Sequence, residues 1–157
     1  MNIKLTCIGK TNADYLNKGI EVYLKRLKKY INFKFECLND VKNAKNLSII
    51  ELKKKEGDLL LKKIESTDFV ILLDENGDQF TSNKFAAKIQ KLLLNSSKCI
   101  HFIIGGAYGF SEEIYQRSNN KIALSQMTFS HQMVRLIFVE QLYRAFSILN
   151  NEPYHHN

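Results

Sequence analysis

Short runs of apolar, often β-branched residues alternate along the chain with longer segments whose apolar positions recur every three or four residues. That pattern predicts a mostly parallel sheet covered by helices. Residues 3–8 form the first predicted strand, followed by a helix whose stripe Leu16, Ile20, Leu24 and Leu27 falls on one face. The second strand covers 33–38, and an Asn- and Lys-rich connection leads to a helix over about 48–64. Residues 68–73 make the third strand, which the turn composition of 74–77 breaks. A helix over 82–94, with Phe85, Ile89, Leu92 and Leu93 inward, precedes the almost wholly apolar fourth strand at 99–104. Gly105, Gly106 and Gly109 end it, and Ser111 with Glu112 and Glu113 reads as the N-cap and acidic first turn of a short helix. A short fifth strand near 121–124 leads to a last helix over 131–149.

The last helix is apolar on more than one face, through Met133, Val134, Leu136, Ile137, Phe138, Val139, Leu142, Phe146 and Leu149. One face meets the sheet and another needs a second cover. A homodimer supplies it, and a helix enclosed within the subunit is the alternative. Pro153 is the one proline, and no repeat or Pro/Gly-rich linker divides the 157 residues, so one domain over 1–157 is expected.

Charge sharpens the picture. Residues 1–65 carry 15 Lys and Arg against 8 Asp and Glu, whereas residues 66–157 carry 8 against 8, so the whole excess of +7 lies early in the chain. Such asymmetry suits a polyanionic partner, although a solvated lysine face such as Lys53, Lys54 and Lys55 explains it as well. Cys7, Cys37 and Cys99 are odd in number and widely spaced, which suggests neither a disulfide framework nor a zinc site. The first ten residues lack a signal-peptide pattern and no apolar run reaches the roughly 18 residues of a membrane span, so a cytoplasmic location is expected.

Three segments carry candidate chemistry. Gly105-Gly106-Ala107-Tyr108-Gly109 lets backbone approach a ligand closely where a buried strand ends, but its spacing is neither G-x-G-x-x-G nor a Walker A motif, and a plain glycine turn fits equally. Leu73-Asp74-Glu75-Asn76-Gly77 ends another buried strand, where open parallel sheets bind ligands. Asp74 and Glu75 are adjacent and point apart, so turn chemistry is the stronger reading than paired acid and base. In Leu124-Ser125-Gln126-Met127-Thr128-Phe129-Ser130-His131, the hydroxyls suit turns and an N-cap, and a lone His131 without a nucleophile argues against a hydrolytic triad. The end of the chain adds Glu140-Gln141-Leu142-Tyr143-Arg144-Ala145 and Pro153-Tyr154-His155-His156-Asn157, where an aromatic ring beside two imidazoles suits RNA, and a frayed tail is the plain alternative.

Taken in order and spacing, the glycine segment, the segment from Leu124 to His131, the Glu140 to Ala145 segment and Pro153-Tyr154-His155 resemble the RlmH family of SPOUT methyltransferases. The resemblance extends over essentially the whole chain. It implies an α/β domain with a deep C-terminal trefoil knot, working as a homodimer. It implies transfer of a methyl group from S-adenosylmethionine to N3 of a pseudouridine in the helix 69 loop of 23S rRNA, within the assembled ribosome and without a metal. Matching motifs places the cofactor loops at Leu73, Gly105, Leu124, Ser125, Gln126, Met127, Thr128 and Phe129. Tyr154 and His155 are expected to orient the base, with His155 as proton acceptor, and Arg144 to contact RNA or fix the tail. Relatives often carry Arg or Lys where this chain has His156, which puts that residue's RNA contact in question. Rival expectations are a non-catalytic RNA-binding or ribosome-assembly factor on the same scaffold, and a related methyltransferase acting on another RNA base. An enzyme using a phosphate-bearing nucleotide is disfavoured by the missing phosphate motifs.

Overall fold

The computed structural model describes residues 2–95 and 99–156, so Met1 and Asn157 lie outside the described residues. Five parallel strands, β1 (Asn2–Ile8), β2 (Asn32–Leu38), β3 (Asp68–Gln79), β4 (Cys99–Ile104) and β5 (Asn120–Ala123), form one sheet in the order β2-β1-β4-β3-β5. The helices α1 (Asp14–Leu27), α2 (Ile49–Leu61), α3 (Ser82–Asn95), α4 (Glu112–Arg117) and α5 (Met133–Leu149) cover both faces. Strand side chains alternate between the faces with period two, which divides the core. Ile3, Leu5, Ile71, Ile100 and Phe102 pack with α1, α3 and α5 on one face, while Ile8, Val70, Leu72 and Ile103 meet Leu60 of α2 and Ile114 of α4 on the other.

The predicted elements are present with small shifts at their ends. Ser48 caps α2 by accepting from the Glu51 N–H at 3.1 Å while its hydroxyl donates to Glu51 Oε1, and Ser111 caps α4 through Ile114. All three cysteines are free thiols. The third strand differs from expectation, because β3 does not stop at Leu73. Asp74 Oδ1 accepts the Asn76 N–H at 2.8 Å, the local turn that the composition predicts, but the turn is a bulge after which Asp78 and Gln79 pair with Ile122 and Ala123 of β5. Gly77 makes the bulge possible: a Cβ there would lie 2.6 Å from the backbone of Lys121 and Ile122.

The last helix is covered mostly from within the subunit. Phe138, Val139 and Leu142 are fully buried, Phe138 lies against Phe102 of the sheet with ring centroids 4.6 Å apart, and α1 and α3 flank α5 on either side. Gly19 brings α1 close, since a Cβ at that position would lie 2.9 Å from Leu136. The apolar character of several faces of α5 is therefore satisfied largely inside one chain.

Candidate active site

At the carboxyl ends of β3, β4 and β5 the chain encloses a cavity of about 560 Å³. Its apolar floor comes from the strand ends and the start of α5, with Leu73, Ile104, Ile122, Leu124 and Val134, and three loops wall it in: 74–76, 105–110 and 124–130. Tyr108 and Met127 stand at its border with 55% and 76% of their surface exposed, large apolar groups that a bound ligand would cover. Gly105 leaves little space for a side chain, because its Cβ would sit 3.1 Å from both the Gly109 carbonyl oxygen and the Phe110 ring.

The expected cofactor residues meet here with one exception. Leu73, Gly105, Leu124, Ser125, Met127, Thr128 and Phe129 line the cavity, and Gln126 does not. The loop hydroxyls hold the walls: Ser125 Oγ accepts the Met127 N–H at 2.9 Å, Ser130 Oγ accepts the Met133 N–H at 3.1 Å, and Thr128 donates to Glu75 at 2.9 Å. Asp74 is engaged through both oxygens, one by the Asn76 N–H and the other by the Tyr115 hydroxyl. Burial, then this bond, holds the Tyr115 phenol well above its ordinary range. These two acids are wall-builders rather than an acid–base pair. His131 also lines the cavity, and burial together with the nearby Arg135 charge lowers its pKa from 6.5, so its imidazole is neutral at pH 7.

Arg135 went unnoticed in the sequence, although a lone cation in the apolar run 133–139 was a visible signal. It is fully buried, and its guanidinium donates to the carbonyl oxygens of Ile8 and Gly9 at 2.7 Å each, to Thr11 Oγ1 at 2.9 Å, to Cys37 Sγ at 3.6 Å and to the His131 carbonyl at 3.1 Å. Ordered carbonyl dipoles take the place of a carboxylate partner. A hydrogen bond from Cys7, opposed by burial and aided by this guanidinium, brings the Cys37 thiol down to about 6.

The tail forms a second cluster. Tyr154 donates to Glu140 Oε1 at 3.0 Å, lies 3.2 Å from the Tyr23 hydroxyl, packs edge-on against Tyr143, and carries the Arg144 guanidinium over its ring at 4.7 Å. Arg144 pairs with Glu140 at 2.5 Å and donates from Nη1 to His155 Nδ1 at 3.2 Å. Arg144 thus touches the tail through His155 and Tyr154. None of Arg144, Tyr154 and His155 lines the cavity of its own chain. The ten steps of α5 from Val134 to Arg144 correspond to about 15 Å of helix rise.

Among the described residues no group of His, Cys, Asp and Glu side chains is placed to hold a metal ion, and no helix is long and apolar enough to cross a membrane.

A knob of loops at the carboxyl ends of a five-stranded parallel sheet, followed by a helix that returns along it, is an arrangement shared with a known methyltransferase fold. The crystal structure of tRNA (m1G37) methyltransferase from Aquifex aeolicus matches all of this chain and 76% of its own, with a TM-score of 0.60 and 14% identity, a likeness of fold. The family described as "Predicted SPOUT methyltransferase" matches residues 1–155, and the protein belongs to that family. The chain is also 57% identical over 156 residues to a protein of Christiangramia forsetii named Ribosomal RNA large subunit methyltransferase H. Proteins of the same name from Flavobacterium psychrophilum and Parabacteroides distasonis are 56% and 52% identical, and each alignment covers 99% of both chains.

Proposed function

We propose that this protein is a single-domain, cytoplasmic, homodimeric enzyme that methylates N3 of a pseudouridine in the helix 69 loop of 23S rRNA on the assembled ribosome, using S-adenosylmethionine. The observation that carries the reading is the convergence of Leu73, Gly105 and the loop from Leu124 to Phe129 on one cavity at the ends of three adjacent strands. Relatives covering the full chain are named large-subunit rRNA methyltransferases, which supports the substrate class. The trefoil knot belongs to the same reading and is supported by family membership.

The residues present fit the cofactor. An adenine ring suits the apolar floor of Leu73, Ile104 and Leu124, and Gly105, which has no side chain in the way, lets backbone come against it. The cofactor supplies an activated methyl group, so the chain's task is orientation and exclusion of water rather than activation. As the N3–carbon bond forms, the sulfonium–methyl bond would break, leaving S-adenosylhomocysteine, and the N3 proton would pass to solvent water. Arg144 has only donors, so Nδ1 of His155 accepts from it and the neutral ring carries its proton on Nε2. His155 therefore presents an N–H suited to a carbonyl oxygen of the base, and this orienting role replaces that of proton acceptor. Tyr154, held by Glu140 and Tyr143, offers a fixed ring edge beside it.

The tail cluster does not line its own chain's cavity, and in a homodimer the tail of one subunit completes the cavity of the other. RNA contact falls to the basic early part of the chain. A groove of about 590 Å³ between the end of β2 and α2 has Lys42, Lys55, Lys62 and Lys63 on its walls, and only Lys63 among these four is in an ion pair, with Glu36 at 2.7 Å, among the described residues. Unpaired ammonium groups there suit phosphates.

Mass spectrometry of 23S rRNA from a strain lacking the gene tests the reading. Loss of one methyl-pseudouridine is expected, and an unchanged nucleoside profile overturns it.

A further inference from the structure

Glu56 of α2 keeps only 7% of its surface exposed, and its Oε1 is buried without a hydrogen-bond partner among the described residues. A buried carboxylate oxygen left unpaired is costly, so a structure retains one where some state of the protein uses it. The carboxylate lies directly behind the glycine loop: a Cβ on Gly106 would come 2.2 Å from Glu56 Oε2. Gly106 in turn lines the cavity, so one residue's thickness of backbone separates this carboxylate from the ligand space.

None of the surrounding groups among the described residues bonds to Glu56 Oε1. Ser111, the N-cap of α4, sits against the neighbouring Gly57, its Oγ accepting the Ile114 N–H. Asp40, after β2, is the charged group that acts on Glu56, and its own carboxylate lies against Gly9 at the end of β1. Burial first, and then the Asp40 charge, raises the Glu56 carboxyl to about 7. On the loop side, Gly109 N–H donates to the Gly106 carbonyl at 3.2 Å, but the N–H groups of Ala107 and Tyr108 have no acceptor among the described residues. An unused acceptor thus stands behind a loop with unused donors.

We propose that Glu56 is the positioning residue of the Gly105–Gly109 loop: when the cavity is filled, its carboxylate accepts loop backbone N–H groups at 106–108 and fixes the loop against the ligand. The proposal rests on the reading of the cavity as the S-adenosylmethionine site. Pairing them removes the penalty of the buried Glu56 oxygen, and because Gly106, Ala107 and Tyr108 line the cavity, the bond and ligand binding reinforce one another. A charged acceptor is needed for the strong form of this bond, so protonation weakens it.

The test uses S-adenosylhomocysteine, which binds without reacting, with calorimetry and amide hydrogen exchange on the full chain between pH 6 and 8. Wild-type protein is expected to bind more tightly as pH rises through about 7, with slowed exchange at 106–108 in the bound form. Glu56→Gln, which keeps the shape but offers one neutral acceptor, should bind about ten-fold more weakly at pH 8, lose the pH response and lack the protection. Asp40→Asn, outside the cavity lining, should move the pH midpoint down. Wild-type affinity, pH response and protection in Glu56→Gln overturn the proposal, as does an unmoved midpoint in Asp40→Asn should the first variant fail to fold. If wild-type protein binds no S-adenosylhomocysteine at any pH, the cavity reading fails and the positioning role with it.

Discussion

Arg135 Nη1 donates to the carbonyl oxygen of Gly9 at 2.7 Å, tying the first turn of α5 to the end of β1 across 126 residues of sequence. Gly9 turns its backbone at φ +81°, a left-handed conformation that glycine adopts without strain, and the carbonyl presented there meets the guanidinium. The same guanidinium holds Ile8 and the His131 carbonyl, so one side chain joins a strand end to the residue that opens the cavity wall.

Arg135→Met should therefore act on both stability and binding. Two buried carbonyl oxygens lose their donor, which predicts a loss of about 2–4 kcal/mol by urea denaturation. Arg135→Lys should recover only part of it, since an ammonium cannot reproduce the planar fork. Cofactor affinity should fall in both variants, measured by calorimetry at a temperature where each remains folded.

A buried polar bridge predicts a pH response of stability. His101, fully buried in β4, lies between Asp68 of β3 at 2.9 Å and Thr6 of β1 at 2.8 Å. Burial lowers its pKa from 6.5, partly opposed by Asp68, so as pH falls below about 6.5 the unfolded chain takes up a proton before the folded one, and stability falls. Glu56 has the opposite sign: with a folded pKa of about 7 against an ordinary 4.5, it contributes a penalty that grows between about pH 4.5 and 7 and levels off above that. The two offset one another in wild-type protein. In Glu56→Gln, urea midpoints should fall clearly from pH 7 to pH 5, with a slope approaching about 1.4 kcal/mol per pH unit once only the unfolded imidazole titrates. Adding His101→Gln should reduce the slope, leaving the part that His131 and Cys37, whose pKa values are also lowered on folding, contribute with the same sign.

The tail separates binding from transfer. Tyr154→Ala with His155→Ala should abolish methylation of ribosomes while leaving S-adenosylhomocysteine affinity within about two-fold, because neither side chain lines the cavity of its own chain. In a mixed dimer, a tail-deficient subunit paired with one whose cavity is blocked should regain one site's activity, about half that of the wild-type dimer. Unchanged turnover in the double variant would remove the tail from the reaction.

Salt dependence reports the basic groove. Ribosome binding should weaken steeply between 50 and 200 mM salt, and replacing Lys42, Lys55 and Lys62 with Gln should reduce the slope of log affinity against log salt by about two or three. Cofactor affinity should not change. A flat salt response in wild-type protein would contradict an RNA surface at the end of β2.

Much of this architecture was legible in the chain because burial writes itself into residue periodicity. The runs from Ile3 to Ile8 and from Cys99 to Ile104 are buried on both faces, and the stripe of α1 has one inward face. The extension of β3 was not legible, because Asp74 and Asn76 make a true local turn and only pairing with β5 carries the strand on past it. The loops of the cavity were marked by glycines and by family resemblance, which brought in Gln126 although it does not line the space. Arg135 and Glu56 escaped notice for opposite reasons. One was a lone charge in an apolar run, and the other lay within Lys53-Lys54-Lys55-Glu56-Gly57-Asp58, where composition does not tell which charge turns inward. The need for a second cover on α5 was overestimated, since α1, α3 and the sheet take up most of its apolar faces.

Methyl transfer to a pseudouridine at the cavity formed by the ends of β3, β4 and β5 is open to a direct measurement. Purified protein and S-adenosylmethionine carrying a labelled methyl group are incubated with ribosomes that lack the modification, and the rRNA is digested for nucleoside mass spectrometry. One labelled methyl per 23S rRNA is expected, at N3 of a pseudouridine in the helix 69 loop. Label on a different base, or none, would contradict it.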